Sequence, residues 1–72
     1  MTEAQVKDIL KRIVPTIEWA DLDADADLAK AGLDSLDKAS VIMEIETEAG
    51  IRVDDSRYDE ILTISDLVRV TA

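Results

Sequence analysis

The chain has 72 residues, of which 47% are hydrophobic and 35% are charged, and its formal net charge is −9. This composition is typical of a folded chain rather than a disordered one, and the length predicts a single domain over residues 1–72. The sequence contains no cysteine and no histidine, which excludes thiolate nucleophiles, disulfides, imidazole bases and the usual zinc ligands. The composition therefore offers no candidate catalytic residue of these kinds.

The negative charge is concentrated in the middle of the chain. Residues 21–60 contain thirteen acidic and four basic residues, whereas residues 1–20 and 61–72 are each neutral. A field of this sign repels nucleic acid and anionic lipid and attracts basic partners, and solubility alone would not require such segregation. No apolar run approaches the roughly 20 residues of a membrane span, and the first residues do not resemble a signal peptide. We expect a cytoplasmic protein with no nucleic-acid partner and no membrane span.

Hydrophobic spacing predicts two long helices. The first covers about residues 3–14, begins with the capping box Thr2-Glu3-Ala4-Gln5 and ends before Pro15. The second covers about residues 35–49 and ends at Gly50, a residue type that often follows the last turn of a helix. Both helices have a face of recurring apolar residues that is available for packing.

Two shorter helices complete the predicted fold. A helical turn runs from about residue 54 to residue 60, and a last helix covers about residues 65–71, capped by Thr63 or Ser65. No segment alternates persistently enough to indicate a strand. We predict an all-α fold, a bundle of four helices with a long loop between the first two and a very short third helix.

The long loop, residues 16–33, is acidic and lacks a sustained hydrophobic period. Loops of this length are uncommon in compact domains and are often functional. We expect its spaced apolar residues to pin it to the core, with a short turn near residues 27–30. These anchoring residues are Trp19, Leu22 and Leu28.

Alternating aspartates in this loop resemble a calcium-binding pattern. They stand at positions 21, 23, 25 and 27. However, Leu28 occupies the position where a calcium loop requires glycine, and Asp34 occupies the position of its final glutamate. We therefore expect no dedicated metal site.

The second predicted helix carries two apolar stripes. The stripe expected to face the core consists of Val41, Ile42, Ile45 and Ala49. The other stripe, about 150° away on a helical wheel, consists of Leu36, Ala39 and Met43. The acidic residues that border it are Asp37, Glu44 and Glu46. Burial of both stripes is the alternative, but it is difficult in so small a domain, so we expect an exposed apolar strip with an acidic rim, typical of a docking surface.

Ser35 stands where the acidic loop becomes a helix, and two explanations fit it. Serine is a common helix cap, which is the ordinary structural explanation. Alternatively, the free amides and positive end of the helix could accommodate an anion, such as a phosphodiester on the Ser35 oxygen. Without a histidine or cysteine to serve as its base, Ser35 would have to be modified by another enzyme.

The segment Gly32-Leu33-Asp34-Ser35-Leu36-Asp37, followed by the segment from Met43 to Val53, resembles the acyl carrier protein family. The acidic loop, the Glu-rich helix and the short C-terminal helix extend the similarity from Val6 to Val70. The resemblance implies an acyl-carrier-like four-helix bundle. It also implies that Ser35 bears a phosphopantetheine arm from coenzyme A, whose terminal thiol holds an acyl group as a thioester.

Further roles follow from the same resemblance. Asp34 is expected to help a phosphopantetheinyl transferase engage the site. Acyl-loading and acyl-transferring enzymes with basic docking patches are expected to bind a monomeric carrier at Leu36, Asp37, Met43, Glu44 and Glu46. A cleft for an apolar cargo is expected at Ile42, Ile45, Ile51 and Ile61.

The sequence also departs from the housekeeping fatty-acid carriers. Ser40 replaces a glutamate, Lys38 adds a positive charge, Ala49 replaces a phenylalanine and Asp54 replaces a proline. The volume left by the missing aromatic would be filled by Trp19 or by an attached chain. The altered charges favour a specialised carrier serving polyketide, modified-lipid or amino-acid chemistry.

The resemblance therefore predicts an acyl carrier, without catalytic residues and not itself an enzyme, that delivers thioester-bound intermediates to the enzymes of a lipid, polyketide or related pathway. Two alternatives stay open at this point. One is a peptidyl or aminoacyl carrier. The strong negative charge favours an acyl carrier over this alternative but does not decide between them. The other is an unmodified acidic interaction module in which Ser35 is only a helix cap.

Overall fold

All regular structure in the protein is helical. A computed structural model describes residues 1–72 and contains four α-helices. They are α1 (Glu3–Ile13), α2 (Leu28–Ala31), α3 (Ser35–Ala49) and α4 (Ile64–Val70). Two 3-10 segments, Trp19–Asp21 and Asp55–Glu60, lie in the connections. The all-α prediction is confirmed: the turn expected near residues 27–30 is α2, and the very short third helix is the 3-10 segment Asp55–Glu60.

Local capping residues determine where the long helices begin and end. At the start of α1, the Gln5 amide donates to the Thr2 hydroxyl at 3.2 Å, and the Gln5 side chain accepts from the Thr2 amide at 2.8 Å. This reciprocal arrangement is the predicted capping box. At the end of α3, Gly50 adopts the left-handed conformation with φ of 68°, which glycine accepts without steric cost. Both ends are as predicted.

The core forms where one long helix meets two others. Helix α1 packs against α3 and against α4. Fourteen buried residues, all hydrophobic, form one cluster. The members contributed by the three helices are Val6, Ile9, Leu10, Val41, Ile42, Ile45, Ile64 and Leu67. The core-facing stripe predicted for α3 is therefore buried, except that Ala49 at its end is only half-buried.

The long loop is fixed to this core by its apolar residues. Trp19 is 2% exposed, and its indole N–H donates to the carbonyl of Val14 at 2.8 Å. Leu28 is buried and Leu22 is partly buried against the cluster. The expected anchoring is thus confirmed for all three residues, and Trp19 contributes the largest side chain of the loop to the core.

Three of the four loop aspartates make separate hydrogen bonds. Asp23 accepts from the Asp25 amide, Asp25 accepts from the Ser65 hydroxyl at 3.0 Å, and Asp27 caps α2. No group of three or more acidic side chains converges in a geometry that could hold a metal ion. The alternating pattern therefore shapes the loop and ties it to α4.

None of the helices combines the length and hydropathy that crossing a bilayer requires.

Helix α4 begins one residue earlier than predicted, because Thr63 rather than Ser65 is its cap. The Asp66 amide donates to the Thr63 hydroxyl, and the Asp66 carboxylate accepts from the amides of Leu62 at 2.9 Å and of Thr63 at 3.2 Å. These bonds, the one from Leu62 first, lower the pKa of Asp66 below its ordinary value. Asp66 thus holds the backbone of Leu62 and Thr63, just before the helix, through its carboxylate, and its own amide completes the cap.

This arrangement predicts a pH-dependent stability. A carboxyl group with a lowered pKa in the folded state stabilises the fold above its unfolded pKa of about 3.9. That contribution is lost as the pH falls through the folded value. Asp66→Asn should therefore lower the free energy of unfolding at pH 7, and its difference from the wild type should shrink between about pH 5 and about pH 3.

Urea titrations across this pH range test the prediction. Asp59→Asn, which removes the same charge from an exposed residue of the neighbouring 3-10 segment, serves as the control for the loss of one negative charge. A constant gap between Asp66→Asn and the wild type at every pH would contradict the assignment.

Candidate functional site

Ser35 is the first residue of α3, but it is not the cap of that helix. The cap is Asp34, whose carboxylate accepts from the Asp37 amide at 2.8 Å. The Ser35 side chain is exposed and lies outside this capping interaction. The explanation of Ser35 as a mere helix cap is therefore wrong. A hydroxyl that is neither buried nor used as a cap is available for covalent modification.

The backbone around Ser35 suits an anionic group on its oxygen. The first backbone hydrogen bond at the start of α3 runs from the Lys38 amide to the Asp34 carbonyl at 2.9 Å. The amides of Ser35 and Leu36 come before that bond and have no helical acceptor. Because the N-terminal end of a helix also carries a partial positive charge, a phosphate ester at this position is favoured. The residues present therefore fit a phosphate-linked prosthetic group.

A small groove opens beside this hydroxyl. Its volume is about 160 Å³. The residues that line it are Asp27, Leu28, Ala29, Leu33, Asp34, Ser35, Lys38, Ile61 and Leu62. The Leu28 amide donates to the Leu62 carbonyl at 2.9 Å, which joins α2 to the segment before α4. The groove is therefore built by three parts of the chain that meet at Ser35.

The isoleucines predicted to line an acyl cleft do not all face this groove. Ile61 lines it, whereas Ile42 and Ile45 lie in the core with 1% and 0% exposure. Ile51 is half-buried and lies beside Met43 in a separate surface depression. The structure brings only Ile61 of these four residues to the groove beside Ser35, so a cleft formed by all four stays a prediction.

The sequence pattern does not predict that Lys38 and Leu62 line the groove near Ser35. For Lys38 a local signal exists, because a residue three positions after Ser35 shares its side of a helix. Leu62 is 51% exposed at the groove and belongs to no predicted helix. Its placement depends on the contact between Leu62 and Leu28, which are distant in sequence, and no local pattern indicates it.

The second apolar stripe of α3 is exposed. Leu36 is 79% exposed and Met43 is 60% exposed, while Ala39 between them is half-buried. These are two of the three large hydrophobic side chains that the protein leaves exposed, the third being Leu62. The expectation that only one stripe of this helix would be buried is correct. Their role in partner binding stays a prediction.

The acidic residues beside this strip also hold the fold together. Glu44 lies 3.9 Å from the Arg12 guanidinium, and Glu46 accepts from the Val53 amide at 2.7 Å. Asp37 is half-buried in the first turn of α3. Glu44 therefore faces α1 on one side of the strip, and Glu46 faces the loop after α3 on the other.

Arg12 of α1 pairs with a second acidic residue of α3, Glu48, one turn beyond Glu44. It donates to Glu48 at 2.6 Å, and this hydrogen bond raises the pKa of Arg12 and lowers the pKa of Glu48. The side chains are 58% and 37% exposed, so solvent screening keeps the contribution to stability small. The pair lies on the side of α3 that turns toward α1, and it leaves the face with Leu36 and Met43 free.

Because Asp34 caps α3 and Ser35 does not, alanine substitutions at the two positions should differ in their effect on stability. Asp34→Ala removes the cap and should lower the free energy of unfolding by about 1 kcal/mol. Ser35→Ala removes an exposed hydroxyl from the first helical position and should change it by less than about 0.5 kcal/mol. Urea denaturation of the two unmodified variants measures both values. An equal loss in the two variants would mean that Ser35 supports the helix start as well.

Comparisons with known proteins agree with this geometry. The family model described as the phosphopantetheine attachment site matches residues 4–70. The chain is 44% identical over 41 residues to acyl carrier protein 1, chloroplastic, of Spinacia oleracea, a match covering 57% of this chain and 30% of the relative. It is 43% identical over 37 residues to the acyl carrier protein of Thermotoga maritima, covering 51% of this chain and 46% of the relative.

A third relative matches over more of the chain. The putative acyl carrier protein, mitochondrial, of Schizosaccharomyces pombe is 40% identical over 58 residues, which cover 81% of this chain and 45% of the relative. The chain thus spans less than half the length of each of these relatives. The match to the phosphopantetheine attachment site nevertheless takes in all four helices, and it identifies phosphopantetheine as the prosthetic group. The chain belongs to the acyl carrier protein family.

Proposed function

We propose that the protein carries acyl groups on a phosphopantetheine arm attached to Ser35 and presents them to partner enzymes. The observation that carries this proposal is the exposed Ser35 hydroxyl at the first position of α3, left free because Asp34 caps the helix. When attached, the group supplies a terminal thiol on which an acyl cargo is held as a thioester. This accounts for thioester chemistry on a chain without cysteine.

Attachment requires an enzyme, because the chain has no group suited to activate the hydroxyl. In the proposed step a bond forms between the Ser35 oxygen and the phosphorus that bears pantetheine in coenzyme A. The phosphate–oxygen bond of the pyrophosphate breaks, adenosine 3′,5′-bisphosphate leaves, and the hydroxyl proton passes to a base of the phosphopantetheinyl transferase. The protein's own contribution is the exposed oxygen and the positive end of α3, which favours the phosphodiester product.

Asp34 is proposed to have a second role in this step. Its side chain is exposed and immediately precedes Ser35, so a transferase that reaches the hydroxyl also meets this carboxylate. One carboxylate oxygen accepts from the Asp37 amide, and a carboxylate has further acceptor sites for a basic residue of the enzyme. The cap and the recognition element are then the same group.

Partner enzymes are proposed to bind along the exposed strip of α3. Leu36 and Met43 supply its apolar anchors, and Asp37, Glu44 and Glu46 supply the acidic rim. Rim charges chiefly raise association rates with basic partners, whereas buried apolar contacts set how long the complex lasts. Two anchors with an acidic rim suit a monomeric carrier that must engage several enzymes briefly.

The proposed role is that of a carrier and not of a catalyst, in a lipid, polyketide or related pathway. The replacement of the usual glutamate by Ser40 and the presence of Lys38 support a specialised carrier. Cytoplasmic location stays a proposal, since the relatives include a chloroplastic and a mitochondrial form. Peptidyl or aminoacyl cargo is the alternative within the same chemistry.

Intact-mass spectrometry tests the attachment site. The unmodified chain, incubated with coenzyme A and a broad-specificity phosphopantetheinyl transferase, should gain the mass of one phosphopantetheine. Ser35→Ala should gain nothing. Ser40→Ala, which removes another exposed serine of α3, is the matched control and should gain the full mass. A gain in Ser35→Ala, or no gain in the wild type with several transferases, would overturn the proposal.

A further inference from the structure

Lys38 is a half-buried cation that has no anionic partner in the protein. Of the eight lysines and arginines, only Lys7 and Lys38 are half-buried, and the others are exposed. Lys7 pairs with Glu3 at 3.3 Å and donates to the Leu22 carbonyl at 2.9 Å. Lys38 takes part in none of the five ion pairs. Because partial burial of an unpaired charge is costly, this ammonium is suited to an anion from outside the chain.

The carboxylates that line the groove with Lys38 are used elsewhere. Asp27 caps α2 by accepting from the Ala29 amide at 2.9 Å, and Asp34 caps α3 by accepting from the Asp37 amide at 2.8 Å. Neither forms an ion pair with Lys38. The first turn of a helix is also an unfavourable place for a cation, because the free amides there carry partial positive charge. In the unmodified chain the position of this charge is therefore unfavourable.

Lys38 lies on the same side of α3 as Ser35. Residues three apart on a helix have Cβ atoms about 5–6 Å from each other. Helical side chains also lean toward the N-terminal end of their helix, which in α3 is the end with Ser35. Both residues line the same groove. Because the stem of a lysine is long and flexible, the ammonium of Lys38 can reach a phosphate ester on the Ser35 oxygen.

We propose that Lys38 is a positioning residue for the prosthetic arm: its ammonium pairs with the phosphodiester on Ser35 and restricts the directions in which the arm leaves α3. Lysine binds phosphate as a compact point charge, which suits a phosphodiester whose negative charge is spread over its free oxygens. The pair forms only after attachment. The inference rests on the proposed function, because that function supplies the phosphodiester.

A cycle of attachment and charge removal tests the pair. Urea titrations compare the unmodified and phosphopantetheinylated forms of the wild type and of Lys38→Gln, which removes the charge and keeps a long polar side chain. Before attachment, Lys38→Gln should not lower the folding equilibrium constant, because the ammonium has no partner. After attachment, it should lower this constant by up to about fivefold at low ionic strength. The effect should shrink in about 1 M NaCl, which screens the pair.

Two further variants separate the pair from a general effect of charge. Lys38→Arg keeps the positive charge and should restore the response of the wild type to attachment. Lys30→Gln removes the charge of another lysine without an ion pair, one that lies in the last turn of α2, is exposed and is outside the groove lining. Attachment should change the stability of this control as it changes that of the wild type.

Phosphorus-31 NMR observes the phosphodiester itself. Its resonance should shift and narrow in modified Lys38→Gln, because the group loses its partner and moves more freely. The resonance should keep its wild-type position and width in Lys30→Gln. In the wild type, attachment should shift the proton resonances of the Lys38 side-chain end and leave those of Lys30 in place.

The outcomes separate this inference from the proposed function. A phosphorus resonance that is the same in Lys38→Gln and the wild type, or an equal stability response of Lys38→Gln and Lys30→Gln, overturns the positioning role of Lys38 and leaves the carrier function intact. A Lys38→Gln variant that only becomes modified more slowly overturns it too, because Lys38 would then be a contact of the transferase. Absence of any added mass overturns the carrier function, and the inference with it.

Discussion

The structure of the site depends on one hydrogen bond, from the Asp37 amide to the Asp34 carboxylate. A helix that begins at the surface needs an acceptor for its first amides, and both aspartate and serine serve well as caps. If the chain began this helix one residue later, Ser35 would be the cap and its oxygen would be engaged with the backbone. Because Asp34 takes that position, Ser35 is left in the first turn with an exposed hydroxyl. The identity of the cap therefore determines whether the serine oxygen is engaged with the backbone or left free at the surface.

The small size of the domain has a related consequence for α3. A 72-residue chain has one core, and α1 fills the space against one side of α3 with Val6, Ile9 and Leu10. No helix remains to cover the opposite side, so Leu36 and Met43 stay in solvent. Burial of Val41, Ile42 and Ile45 sets the rotation of the helix. The acidic residues flanking the strip are compatible with that rotation, since Glu44 pairs with Arg12 on one side and Glu46 accepts from the Val53 amide on the other. The same side chains place negative charge beside Leu36 and Met43.

Local rules explain why so much of the fold is predictable from the sequence. The capping box at Thr2, the stop before Pro15 and the glycine at residue 50 act over a few residues, and the long helices follow from them. Thr63 and Ser65 are both good caps, and the capping box between Thr63 and Asp66, with the bond from the Leu62 amide to Asp66, selects Thr63. The groove was not predictable from local rules of this kind, because it exists where the Leu28 amide meets the Leu62 carbonyl, a contact between distant segments. Spacing within the helix predicted that Ile42 and Ile45 face the core, and the packing shows that they do not also line the groove beside Ser35.

The acidic residues of this protein serve the fold without losing their charge. A carboxylate that accepts backbone amides is favoured in its ionised form: the amide of Ser56 lowers the pKa of Asp54, and that of Leu62 lowers the pKa of Asp66. Capping and loop closure therefore keep such groups charged, and the negative field remains available to attract basic partners. On the proposed function, a phosphodiester on Ser35 adds one more negative charge between Asp34 and Asp37. Attachment of the arm would then strengthen the attraction that brings partners to α3, while the contacts of Leu36 and Met43, which set the lifetime of each complex, would stay the same.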